Sequence, residues 1–286
     1  KIQTYLAYNN CLFYLNLNLY MNLDFSDDQK FLKEEARKFL EKENALARNR
    51  NVLENESHID EELWKKIVAL GWTGIRIPEE YGGLGLGHLE LCVIAEELGR
   101  FLAPVPFSSS VYLFTEALII YGSDEIKKEL LPQLINGDAI GTIAVTEEFF
   151  APTAENINVT FDNGKINGKK IAVPDAGIAT HVIVVAKSNK GISLNIVDLA
   201  SEGVSVEHQE NIDESRGHFS VTFENVDSQL LGDAVSGWDL YETLINQAAV
   251  LFSYEQIGGS QAALDMAVNY AKERYAFGRP IGSYLS

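Results

Sequence analysis

Apolar positions recur at helical spacing in the first clearly periodic stretch, FSDDQKFLKEEARKFLEKE. Phe31, Leu32, Ala36, Phe39 and Leu40 fall on one face. Ser26 with Gln29 forms a capping-box pattern, and Asp27 and Asp28 suit the positive end of the helix dipole. After a polar loop at Asn55 to Asp60, DEELWKKIVALGW predicts a second helix, with Asp60 as cap and Gly71 as stop. Pro78, Gly82, Gly83, Gly85 and Gly87 then predict an irregular loop. His88 to Leu98 is a strongly apolar helix expected to end at Gly99. Pro104 and Pro106 break the chain. Ser108 to Tyr121 predicts a buried helix, and a short helix follows before Asp138.

The period changes at Ala139. AIGTIAVTEE is β-branched and apolar, and period-two segments flank Asp162-Asn163-Gly164, a hairpin signal. THVIVVAKS, GISLNIVDL, GVSVEHQE and GHFSVTFENV continue at strand-plus-turn spacing, which predicts an antiparallel β domain. From Trp238 the helical period returns, and Asp239 to Tyr275 fits one long helix. The Gly258-Gly259 pair inside it predicts a close approach to another helix or to a ligand. The fold class is therefore α+β. The expected parts are an N-terminal helical domain at 21–138, a middle antiparallel β domain at 139–233, and the start of a C-terminal helical bundle at 234–286. Residues 1–20, with one charge, four Asn and four Tyr, do not fit this pattern. They are expected to be an extraneous or disordered segment, with an edge strand or partner-binding segment as the alternative. They lack the basic start and cleavage pattern of a signal peptide, and Asn interrupts any membrane span.

Composition narrows the function classes. At 46% hydrophobic, the 286 residues can bury a substantial core. The net charge of −18 argues against a nucleic-acid partner, because nothing offsets repulsion from phosphates. Cys11 and Cys92 form no disulfide framework, which suits a reducing, cytoplasmic location. The five histidines show no metal-binding spacing, so no metal is expected. Gly-Leu-Gly-Leu-Gly at 83–87 is not a dinucleotide fingerprint, because no strand precedes it.

Four stretches carry a resemblance: IPEEYGGLGLGHLELCVIAEELGR, GSDEIKKELLPQLINGDAIGTIAVTEE, INGKKIAVPDAGIATHVIVVAKS and YAKERYAFGRPIGSY. In the α–β–α order they resemble the acyl-CoA dehydrogenase family over roughly residues 21–286. The resemblance implies FAD as cofactor, an acyl-CoA thioester as substrate, electron-transferring flavoprotein as acceptor, and a homo- or hetero-oligomer. It implies removal of an α proton by a carboxylate and hydride transfer from Cβ to flavin N5. Hydrogen bonds to the thioester carbonyl would stabilise the enolate-like charge.

The resemblance also places a cofactor site. Val145 and Thr146 would line the flavin at a strand end; Thr146 is equally a β-branched residue at a domain edge. Val173 would touch the ring, although Ala172 and Pro174 stand where the family usually has Trp and Thr. Arg274, with Phe277 and Gly278, would reach the FAD diphosphate of a neighbouring subunit; otherwise Arg274 serves its own helix end. Phe149 and Phe150 occupy the start of a shortened loop and either alter the acyl pocket or pack on a neighbour. The usual catalytic base lies beyond Ser286, so the chain is expected to be C-terminally truncated. The position where a minority of members carry a Glu is Ala248; Glu255 is a weak candidate, roughly 10 Å further along the helix. Two readings follow: a flavin-dependent acyl-CoA dehydrogenase, incomplete and inactive alone, or a non-catalytic flavin-binding or structural subunit paired with a catalytic homologue.

Overall fold

The computed structural model describes residues 24–55 and 57–284, so the expectation for residues 1–20, and Cys11 with it, lies outside the described residues. The order is helices, sheet, long helix. Helix α1 (Asp27–Lys42) starts with the expected capping box of Ser26 and Gln29. Ala36 and Leu40 are buried on its inner face, but Phe31 is exposed. Helix α2 (Ala45–Glu54) lies in a stretch where the sequence shows no clear period. Helix α3 (Glu61–Ala69) is capped by Asp60, which accepts from the Leu63 N–H at 2.8 Å. Helix α4 (His88–Arg100) runs through Gly99, the expected terminator. A buried π-helix at Ser108–Thr115 continues into α5 (Glu116–Tyr121), and α6 (Asp124–Asn136) follows.

Eight of the described strands form one sheet: β1 (Gly141–Ala144), β2 (Thr160–Asp162), β3 (Lys165–Pro174), β4 (His181–Lys187), β5 (Ile192–Asp198), β6 (Val204–Gln209), β7 (His218–Asp227) and β8 (Gln229–Leu231). The order is β6-β7-β3-β2-β4-β5-β8, with β1 beside β4. Most pairings are antiparallel, as expected, but β1 runs parallel to β4 and β2 meets β4 in parallel at one residue pair. The expected hairpin joins β2 to β3, with Asn163 and Gly164 both at positive φ. The continuous apolar run of β4 has a tertiary cause. Ile183 and Val185 face the helices, while Val182, Val184 and Ala186 face a second core on the other side of the sheet.

Helix α7 (Gly237–Glu273) has 37 residues, so it is about 55 Å long. Its Gly pair explains its main contact. A Cβ on Gly258 would lie 1.8 Å from the Glu96 carbonyl oxygen, and one on Gly99 would lie 2.1 Å from that of Glu255. Helices α4 and α7 thus cross backbone to backbone, at positions where each supplies a glycine. Past Glu273, β9 (Tyr275–Ala276) and β10 (Arg279–Pro280) form a two-stranded hairpin.

Candidate functional site

Two polar clusters in this frame involve the residues singled out in the sequence. The first is at the end of β1. The Lys170 side chain on β3 is fully buried; its Nζ donates to the Val145 carbonyl at 2.9 Å and to Glu147 Oε1 at 2.7 Å. Glu147 also accepts the N–H groups of Asn158 (2.7 Å) and Val159 (3.0 Å). Burial pushes the Glu147 carboxyl up, but Lys170 and these N–H groups leave it below its usual range. Burial lowers the Lys170 ammonium to about 8 despite its partner. The Thr146 carbonyl accepts from the Ile171 N–H at 2.8 Å. The Thr146 N–H and hydroxyl bond to no protein group among the described residues, and the residue is only half-buried.

The other predicted cofactor residues are placed as follows. Val145 is buried beside the helices. The Val173 side chain is 1% exposed and packs in the second sheet core, so any contact it makes outside the sheet is through backbone. Ala172 is exposed at φ 51, at a bulge between β3 and β7, with its N–H held by Gln209 Oε1. Arg274 caps α7 through its backbone N–H, while its guanidinium pairs with no described residue. Phe277 is 98% exposed at φ 52, and Gly278 follows at φ 81 with nothing near its Cβ position. Phe149 and Phe150 are both exposed, so neither is enclosed in a pocket among the described residues.

The second cluster, which the sequence patterns did not reveal, joins all three segments. Asp175, just past β3, accepts from Arg216 Nη2 at 2.5 Å and from the Ser109 hydroxyl of the π-helix. Arg216 Nη1 donates to Ser108 Oγ at 2.5 Å. The Tyr112 hydroxyl donates to Glu255 Oε1 on α7 at 2.9 Å. Burial raises the Glu255 carboxyl, with Tyr112 and Arg216 pulling the other way. A cavity of about 130 Å³ lies here, between Leu98, Leu102, Val105 and Phe107 on one side and Arg216 and Glu255 on the other. Ala248 is 1% exposed in the apolar core and supplies no carboxylate. The one available sequence signal was a lone charged residue beside apolar neighbours, as at Asp175.

Residues 26–138 match the family description "Acyl-CoA dehydrogenase, N-terminal domain", and residues 235–285 match "Acyl-CoA dehydrogenase, C-terminal domain". An acyl-CoA dehydrogenase from Bacillus subtilis is 30% identical over 90% of this chain and 72% of its own length. The chain belongs to the acyl-CoA dehydrogenase family. A 3-(aryl)acrylate reductase from Clostridium sporogenes is also 30% identical, over 91% of this chain and 73% of its own length. The solved butyryl-CoA dehydrogenase of Megasphaera elsdenii superposes with a TM-score of 0.83 at 25% identity, covering 93% of this chain and 74% of that one. Membership makes this an FAD-dependent oxidoreductase fold, with FAD as the cofactor. The donor set fits that group: Thr146 offers an N–H and a hydroxyl with no protein partner, at the end of a strand held from behind. Among the described residues no helix is long and apolar enough to cross a membrane, and no cluster is suited to a metal ion.

Proposed function

We propose that this chain takes part in flavin-dependent α,β-dehydrogenation of an acyl-CoA thioester, in an assembly of more than one chain. The observation that carries this reading is the unpartnered donor pair of Thr146 at the β1 end, in a chain of this family. The Thr146 N–H and hydroxyl would hold the polar edge of FAD, with the Val145 and Val173 backbones beside it. Arg274, Phe277 and Gly278 would serve the diphosphate of FAD on a second chain. Helix α7 carries that turn about 55 Å away from the end at Gly237, which packs against β5. The Arg274 guanidinium pairs with no protein group among the described residues and can offer paired donors to phosphate oxygens. FAD, when bound, supplies the hydride acceptor; the protein's share is to bind, orient and exclude water.

Electron-transferring flavoprotein is the proposed electron partner. A relative from Acetobacterium woodii is named as a caffeyl-CoA reductase–Etf complex subunit. The reductases among the relatives leave the direction of hydride transfer to be set by the substrate couple.

The second reading, a non-catalytic subunit paired with a catalytic homologue, is favoured by Ala248 and by the engagement of Glu255 with Tyr112. A solved relative from Mycobacterium tuberculosis is itself named as a complex of two proteins, ChsE4 and ChsE5. Titrating the purified chain with FAD and then adding acyl-CoA without oxygen separates the two. FAD binding followed by bleaching supports the enzyme. FAD binding without bleaching supports the subunit. Absence of FAD binding, alone and with a homologous partner, overturns both flavin readings.

A further inference from the structure

A fully buried lysine at the edge of a candidate cofactor site calls for a reason. Moving an ammonium out of water is costly, and a partner carboxylate offsets only part of that cost. The side chain of Lys170 is 0% exposed, and its ammonium bonds to two groups just past β1, the Val145 carbonyl and the Glu147 carboxylate. It holds the Val145 carbonyl. One residue on, the Ile171 N–H holds the Thr146 carbonyl. Both carbonyls are thereby tied to β3. Glu147 closes the arrangement by gripping Lys170 and the N–H groups of Asn158 and Val159 just before β2. Three segments are thus pinned around one residue, Thr146, whose own N–H and hydroxyl stay free among the described residues.

We infer that Lys170, backed by Glu147, is a positioning residue for FAD: it fixes the peptide of Val145–Thr146 so that the Thr146 donors point at the cofactor. This rests on the flavin reading above. The pair does not touch FAD; it acts through Thr146. Burial lets it do so, because a hydrogen bond to a charged donor shielded from water is stronger and more directional than a solvated one. A loosened strand end would still fold into the sheet but would present its donors in several orientations.

The test is a double-mutant cycle on the whole chain, read by FAD dissociation constant, with the thermal midpoint of the FAD-free protein measured in parallel. Lys170→Met is expected to weaken FAD binding about tenfold, the scale of one lost charge-assisted bond. Thr146→Val is expected to cost a similar factor in the wild type and little once Lys170 is gone. Glu147→Gln, which keeps the Lys170–Val145 bond, should cost less than Lys170→Met and serves if Lys170→Met does not fold. Amide exchange at Thr146 should slow on FAD addition in the wild type. Unchanged FAD affinity in the folded variants, or effects that multiply independently, overturns the positioning role and leaves the flavin reading intact. A wild-type chain that binds no FAD, alone or with a homologue, sinks the flavin reading and this inference with it.

Discussion

Glu255 shows how one side chain can be seen in a sequence without its role being seen. Helical spacing put it on α7, where it stood only as a weak candidate for the base. In the structure it bonds to Tyr112, faces Arg216 and has a raised pKa from burial. Between the ordinary carboxylate range and that raised value, the folded chain holds a proton that the unfolded chain has released. Stability from this group is therefore present at low pH and lost as pH rises through the window. Going from about pH 4 to about pH 7, the urea midpoint of Glu255→Gln should gain on that of the wild type; a constant offset would count against the assignment. Cys92 gives a simpler check. Burial raises its thiol to about 11, so alkylation near neutral pH should be slow in the folded protein and fast in denaturant. Equal rates in both would show the site to be open.

At the scale of elements, glycine was read correctly at one position and wrongly at another. Gly258 was expected to allow a close approach, and it does. Gly99 was expected to stop a helix, yet it lies inside α4 and serves the same contact from the other side. A glycine near an apolar run looks the same in sequence whether it ends a helix or meets another backbone. Gly258→Ala should destabilise by about 3 kcal/mol, the upper range for overpacking, because the new methyl meets a carbonyl oxygen and not a flexible side chain. Gly278→Ala should cost only about 1 kcal/mol, since its Cβ position is open and only the left-handed backbone resists. Urea titration of both variants tests the contrast. Helix α2 was missed because its stretch, ALARNRNVLE, buries only Ala45 and Val52 and shows almost no apolar stripe. Its place is set by ties to neighbouring segments, such as Arg48 on α2 pairing with Asp60 and Glu43.

At the scale of the whole molecule, the long helix is the least covered part. Val250, Ile257 and Leu264 are each more than half exposed along α7, and Phe277 is almost wholly so. Apolar surface of this extent calls for further protein against it. The chain should therefore sediment above its single-chain mass, or with a homologue, and Phe277→Asp should shift it towards the monomer. A wild-type monomer at micromolar concentration would contradict the multi-chain reading.

The sequence alone determined the order of helices, sheet and long helix, the capping at Ser26 and Asp60, the hairpin at Asn163-Gly164, and the family. Each of these depends on neighbours within a few residues, on a period of 2 or 3.6, or on contiguous motifs. Three-dimensional packing alone set the bonding of buried Lys170 to Val145 and Glu147, the contact of Gly99 with Gly258's helix, and the convergence of Arg216, Asp175, Tyr112 and Glu255. Those contacts join residues tens to more than a hundred positions apart, and no local period records which distant backbone or charge a side chain will meet.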